Sequence, residues 1–162
     1  MTQTHAIDDA VRRYRPDCIF CRMDDPSVNR ILEQSDNFYV RYDNFPATDG
    51  HVEIVPKRHV VSFFELAPGE VAEAYQLMSD VRSTLTAIHD PQGFTIGIND
   101  GRAAGRTIDH LHIHLVPRYD GDVTDPRGGI RRALPNGDPA LWTDSSLTEF
   151  DRRGHVPIRP PT

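Results

Sequence analysis

The feature that most limits the folds open to this chain is the run His110-Leu111-His112-Ile113-His114-Leu115-Val116-Pro117. Imidazole and apolar side chains alternate in it with a period of two, the period of a β-strand and not of a helix. As a strand it turns Leu111, Ile113 and Leu115 into a core and lines up three imidazoles on the other face, about 6 to 7 Å apart. Imidazole is the side chain best suited to nucleophilic and proton-transfer work near neutral pH, so the row reads as a working surface. Two chemistries fit it: three histidines sharing one metal ion, or one nucleophile flanked by helpers.

The segments upstream supply partners for such a strand. Phe38-Tyr39-Val40-Arg41-Tyr42 and His51-Val52-Glu53-Ile54-Val55 are β-rich runs joined by the turn-forming stretch Asp43 to Gly50, which predicts a hairpin with a wide loop. Ser27 to Gln34, with Val28, Ile31 and Leu32 on one side, predicts a short helix. Pro68 opens a long amphipathic helix in which Val71, Ala74, Tyr75, Met78, Val81, Leu85 and Ile88 recur at three- and four-residue steps down to His89, and Pro91-Gln92-Gly93 stops it. Phe94 to Ile98 predicts a strand, Asn99 to Thr107 a glycine-containing loop, and His110 to Arg118 the last strand. The remainder from Tyr119 is irregular, with a short helix near Trp142. These elements predict an α+β fold: a mostly antiparallel sheet of four to five strands with one long helix and a short helix, covered on one side. So few strands leave exposed edges, and a homodimer is expected.

At 162 residues the chain is sized for one domain with a single core. The expected organisation is a flexible arm over residues 1–15, a catalytic domain over 16–120 and an irregular tail over 121–162, packed on or near that domain. A net charge of −6 argues against partners whose binding neutralises many phosphates, so no nucleic-acid partner is expected and any phosphate handled is small and local. No apolar stretch is long enough to cross a bilayer, and Asp8, Asp9, Arg12, Arg13 and Arg15 stand where a signal peptide needs an apolar core. No membrane partner and a cytoplasmic location are the expectations. Cys18 and Cys21 form a C-x-x-C, which in a reducing compartment reads as half of a metal site or as a redox pair. A thioredoxin-like role needs a strand-to-helix junction of a βαβ unit, and none is visible here.

The loop before the histidine run chooses between its two chemistries. Asn99-Asp100-Gly101-Arg102-Ala103-Ala104-Gly105-Arg106-Thr107 offers glycines that let backbone approach a ligand, a hydroxyl on Thr107, and guanidinium groups on Arg102 and Arg106. A phosphate cradle beside a row of histidines favours the nucleophile. This loop, followed by His-apolar-His-apolar-His-apolar-apolar, resembles the histidine triad nucleotide-binding family, and in particular its bacterial diadenosine polyphosphate hydrolases. Asp43-Asn44-Phe45-Pro46 leading into Gly50-His51-Val52-Glu53-Ile54-Val55-Pro56-Lys57-Arg58-His59 is similar to that family's other segment. The likeness runs from Asp17 to Arg118.

The resemblance implies that His112 is the nucleophile, forming a nucleotidyl-imidazole intermediate that water cleaves. It implies that His114 bonds the phosphate or the bridging atom, and that Asn99, Gly105, Arg106 and Thr107 form the phosphate-binding loop. Asp43 takes the position that contacts ribose hydroxyls, although a turn role is its alternative. Arg106 stands where many members carry glutamine, which makes the phosphate contacts more electrostatic. The tail from Asp122 to Ile130 is similar to tails of some bacterial members; with Arg131 and Arg132, its Arg127 forms a basic cluster that reaches a distal phosphate or is simply solvated.

Cys18 and Cys21 need two more ligands for tetrahedral zinc, and His59 and His110 are the best candidates by chemical type, with His51 a rival better suited to packing or hydrogen bonding. Similar arrangements in bacterial relatives and in the related uridylyltransferases imply a closed, structural zinc; no organic cofactor is expected. The activity expected is hydrolysis of a diadenosine tri- or tetraphosphate through nucleotidyl-His112. Its alternatives are an adenosine phosphoramidate hydrolase, a dinucleoside polyphosphate phosphorylase, a nucleotide-binding regulatory module, and a hydrolase whose three histidines share a catalytic metal.

Overall fold

The computed structural model describes residues 14–134. They fall into two compact units, divided between Asp122 and Val123. The first holds a five-stranded sheet: β1 (Ile31–Gln34), β2 (Phe38–Tyr42), β3 (Val52–Pro56), β4 (Gly93–Gly97) and β5 (Ile113–Arg118), in the spatial order β1-β2-β3-β5-β4. Every neighbouring pair is antiparallel. One long helix, α1 (Pro68–His89), connects β3 to β4. The second unit contributes a 3-10 turn, Gly129–Ala133, preceded by an ion pair of Arg127 with Asp125 at 2.9 Å. The short helix expected near Trp142 lies outside the described residues.

The alternation of β2, β3 and β5 gives the sheet two unlike faces. Phe38, Val40, Val52, Ile54, Ile113 and Leu115 form one core with Ala74, Leu77, Val81 and Leu85 of α1. Tyr39 and Val55 point the other way and enclose Phe20. The segment before β1 is tied to that second face, since the Tyr39 hydroxyl donates to the Phe20 carbonyl at 2.7 Å and Asn29 Nδ2 donates to the carbonyls of Ile19 and Arg22. α1 starts on Pro68, where a missing N–H is harmless, with the Glu70 carboxylate accepting the Ala67 N–H, and it ends on Asp90 at φ 49°. Among the described residues no helix is long and apolar enough to cross a membrane.

Three expectations are corrected. Ser27 to Gln34 is not a helix: Val28 and Asn29 close a turn on the Asp25 carbonyl, and Ile31 to Gln34 pair with β2 as a strand, because an open sheet edge satisfies this backbone better than an isolated turn or two of helix. The buried face of α1 runs through Ala74, Leu77, Val81 and Leu85, whereas Tyr75 and Ile88 are 66% and 59% exposed. The last strand begins at Ile113, so His110 and His112 precede it. There the Leu111 N–H donates to the Val60 carbonyl at 2.7 Å, and His110, Leu111 and His112 are all buried, so the first two imidazoles lie before the strand and inside the protein.

Candidate active site

Each histidine of the run has one ring nitrogen committed to a different partner, and the free nitrogen is fixed by elimination. The Pro56 carbonyl lies 2.9 Å from Nε2 of His110, so this ring carries its proton on Nε2 and turns a bare Nδ1 toward Cys18 and Cys21, at 3.3 and 3.6 Å. His112 donates from Nδ1 to the His110 carbonyl at 2.8 Å, which leaves Nε2 bare. Burial lowers the pKa of His112, so that nitrogen keeps its lone pair near neutral pH. Phe20 packs its ring against both, with centroids 5.7 Å from His110 and 5.1 Å from His112.

His114, on β5, is set by a fourth histidine. The Ala47 N–H donates to His51 Nδ1 at 3.2 Å, so a neutral His51 holds its proton on Nε2 and donates it to His114 Nδ1, 3.0 Å away. His114 therefore carries its own proton on Nε2. Burial, together with His112 and His51 nearby, lowers its pKa to about 4, which keeps the ring neutral. Its ring lies 5.0 Å from that of His112, centroid to centroid. The result is a bare nitrogen on one ring beside an N–H donor on the next, the pair that nucleophilic attack with leaving-group protonation requires.

Asp43 makes the contact of a turn residue and also stands beside two of the histidines. Its Oδ1 accepts the Phe45 N–H at 2.7 Å, as a turn residue does, while Oδ2 lies 3.6 Å from His51 Nε2 and 3.8 Å from His114 Nδ1. Gly50, at φ 79°, turns the chain into β3 where a Cβ would stand 2.9 Å from the His89 ring, so α1 closes directly over the loop carrying Asp43 and His51.

The loop from Asn99 to Thr107 is held by contacts of its own. Gly105, at φ 94°, spends its N–H on the Arg102 carbonyl at 3.0 Å. The Arg106 guanidinium lies 3.0 Å from Asp109 and 3.8 Å from Asp100, and Asp100 in turn accepts from Ser62 at 2.7 Å. Arg106 is thus a brace that ties the loop to residues 61–63, its charge already matched by carboxylates. Thr107 is exposed, and with Arg106 it lines a cavity of about 560 Å³ that also includes Arg15, Cys18 and His59. Asn99 is exposed, its side chain 4.0 Å from where a Cβ on Gly105 would stand.

Cys18, Cys21, His59 and His110 each place a ligand atom within 4.8 Å of the others. The edges Cys18 Sγ to His110 Nδ1 and Cys21 Sγ to His59 Nδ1 are both 3.3 Å. A tetrahedron with ordinary zinc–sulfur and zinc–nitrogen bonds has edges of about 3.5 Å, so the four donors fit that ion. His110 Nε2 on the Pro56 carbonyl is the outer bond that orients such a ligand.

Sequence reasoning missed Arg41 and Glu53, which lie buried beside this site. A usable signal was present, since each is a charge inside an otherwise apolar strand and the two have opposite sign. It assigned His51 to hydrogen bonding but not to His114.

The HIT domain family model matches residues 25–121. The chain is 35% identical to the nitrilase and fragile histidine triad fusion protein NitFhit of Caenorhabditis elegans, over 65% of this chain and 24% of that one. It is 31% identical to the asymmetrical bis(5'-nucleosyl)-tetraphosphatase of Schizosaccharomyces pombe, over 49% of this chain and 44% of that one. It thus spans about a quarter of the nematode protein and under half of the yeast enzyme. Among solved structures, a zinc-bound histidine triad family protein from Mycobacterium smegmatis matches with a TM-score of 0.59 and 28% identity, over 84% of this chain and 96% of that one.

Proposed function

The chain belongs to the HIT, or histidine triad, family, and from that premise we propose that it is a nucleotidyl hydrolase in which His112 is the nucleophile. The observation that carries the reading is the bond from His112 Nδ1 to the His110 carbonyl, which leaves Nε2 bare beside the Nε2–H of His114. In the first step Nε2 of His112 attacks the phosphorus that bears the nucleoside. The bond from phosphorus to the bridging atom breaks, and the leaving group departs with its electron pair and takes the His114 Nε2 proton. In the second step water cleaves the phosphorus–nitrogen bond, releasing a nucleotide and returning a proton to His114. Asp43, beside His51 and His114, receives the ribose hydroxyls, and Asn99 and Thr107 border the phosphate.

The first substrate choice is a dinucleoside polyphosphate such as diadenosine tri- or tetraphosphate, a reading supported by the yeast relative's name. A nucleoside phosphoramidate is the second reading, and two observations favour it. Arg106 is already matched by Asp100 and Asp109, so it brings little surplus charge to a long polyphosphate, and an N–H donor on His114 suits an amine that must leave protonated. The test is intact-protein mass after brief mixing with each substrate and an acid quench, for wild type and His112→Ala. A nucleotidyl adduct confined to wild type is expected, and turnover that survives in His112→Ala would sink the reading.

Cys18, Cys21, His59 and His110 hold a structural zinc in the same proposal. Zinc would supply a fixed charge that pins the segment before β1 against the sheet and holds His110, whose carbonyl orients His112. Elemental analysis of the purified chain should find about one zinc per chain, lost in Cys18→Ser with a lower unfolding midpoint. Full stability with no bound metal would remove zinc from the account.

A further inference from the structure

Behind His114 the sheet carries a row of charge that the reaction above leaves unused. Arg41 on β2 stands opposite Glu53 on β3, and Glu53 opposite His114 on β5. Arg41 and Glu53 are 2% and 4% exposed, and Nη1 of the guanidinium meets Glu53 Oε2 at 2.6 Å. Arg41 Nη2 is itself fixed by the Val28 carbonyl at 3.0 Å and Asn44 Oδ1 at 2.7 Å. The second carboxylate oxygen, Oε1, lies 4.0 Å from His114 Nδ1. Burying two charges in a sheet is expensive, and apolar side chains would fill the same space with less desolvation.

The proton balance of His114 gives the pair a task. When Nε2 surrenders its proton to a leaving group, Nδ1 must take one up or the ring is left as an imidazolate. Three groups stand near Nδ1, and one of them, the Asp43 carboxylate with Oδ2 at 3.8 Å, already accepts the Phe45 N–H and is the group assigned above to the ribose hydroxyls. His51 is nearer, at 3.0 Å, but its own Nδ1 is bound by the Ala47 N–H, so losing the Nε2 proton would make it an imidazolate in turn. Glu53 can release a proton and be left as a carboxylate already paired with Arg41.

We propose that Glu53, held by Arg41, is the positioning residue that resupplies His114. As the leaving atom takes the Nε2 proton of His114, the carboxyl proton of Glu53 moves to His114 Nδ1. What remains is a Glu53 carboxylate on Arg41 and a neutral His114 whose bare Nε2 accepts the proton of the incoming water. The Nδ1 proton then returns to Glu53. This rests on the reading of His112 as nucleophile. The gap of 4.0 Å must shorten by about 1 Å, and such contacts are commonly long in free enzymes and tighten on binding.

The surrounding charges support the direction of transfer. Arg41 from β2, Asp43 from the following loop and His114 from β5 face Glu53; His51 and His112 also face His114, and its β4 neighbour is the uncharged Gly97. Burial and the Asp43 carboxylate push the Glu53 carboxyl up to about 7, so near neutral pH a large share of the molecules hold that proton on Glu53.

The test compares two derivatives of one nucleoside monophosphate, an alkyl phosphoramidate whose amine must leave protonated and a p-nitrophenyl ester that leaves as a stable phenolate. The full chain is assayed as wild type, as Glu53→Gln, and as Arg41→Met with Glu53→Leu, which removes both charges together should the single variant fail to fold. On the phosphoramidate both variants are expected to lose on the order of 10²-fold in kcat, with a loss on the ester smaller by on the order of tenfold. Wild-type kcat on the phosphoramidate should fall as pH rises through about 7, a limb that both variants lack. Equal losses on the two substrates, or none, overturn the proposal while leaving the nucleophile intact. A wild type that forms no adduct and turns over neither substrate overturns the nucleophile reading and this proposal with it.

Discussion

At the scale of single residues, the four histidines of the site are alike in chemistry and unequal in partners. Backbone groups at Pro56, His110 and Ala47 commit one nitrogen each on His110, His112 and His51, and His51 passes that choice on to His114. Removing the link has a defined consequence. In His51→Ala, Nδ1 of His114 loses its donor, and a neutral ring can then hold its proton on the wrong nitrogen. We expect kcat with an amine leaving group to fall on the order of 10²-fold, since that is the scale of one general-acid contribution. Steady-state kinetics with the pair of substrates above will show it, and unchanged kcat would mean that His51 only packs. His112 and His114 were legible from the alternating run together with the loop before it. Arg41 and Glu53 were legible only as opposite charges inside apolar strands, because such a charge declares its role only once the opposing strand and register are known.

At the scale of elements, the sheet follows from period-two segments and α1 from its capped, amphipathic span, whose observed limits are those read from Pro68 and His89. Which stripe of α1 is buried was less legible, because Tyr75 and Leu77 both extend an apolar pattern and only the twist of the sheet beneath selects one. The distinction is measurable by urea unfolding. Leu85→Ala, at a fully buried position, should cost about 3 kcal/mol, whereas Tyr75→Ala on the exposed side should stay within about 0.5 kcal/mol. Equal effects would contradict the packing described here. β1 was misread as helix for a related reason: four residues carry too little periodicity to declare a strand, and the open edge of β2 decides the matter.

At the scale of the whole molecule, burying so many imidazoles makes stability depend on acid. His51, His59, His110, His112 and His114 all have pKa values lowered mainly by burial. Their folded values lie below their unfolded ones, so the unfolded chain binds more protons and stability is lost as pH falls below about 6.5. For His114, lowered to about 4, the share amounts to about 3 kcal/mol once pH has reached that value. Glu53 has the opposite sign: raised to about 7, it contributes stability that is present in acid and lost as pH rises through that value. Urea midpoints measured from pH 4 to 8 should therefore peak between about 6 and 7, with a shallower acid side in His114→Asn. A midpoint that does not change between pH 4 and 6.5 would contradict the burial of these rings. The sheet also ends on β4, an edge strand with Ile96 about half exposed, and the proposed pairing of two copies predicts a light-scattering mass twice the 18.3 kDa of one chain.

The sequence alone determined what local periodicity and short-range chemistry can carry: two-residue alternation for the strands, a proline-started helix, and a set of histidines, cysteines and loop glycines as candidates for a site. Tertiary structure alone decided which nitrogen of each histidine is free, that Arg106 braces the loop, and that Arg41, Glu53 and His114 form one row. The reason is physical. A tautomer, a brace and a cross-strand ion pair are each set by a partner far away in the chain, and only the register of the folded sheet brings the two together.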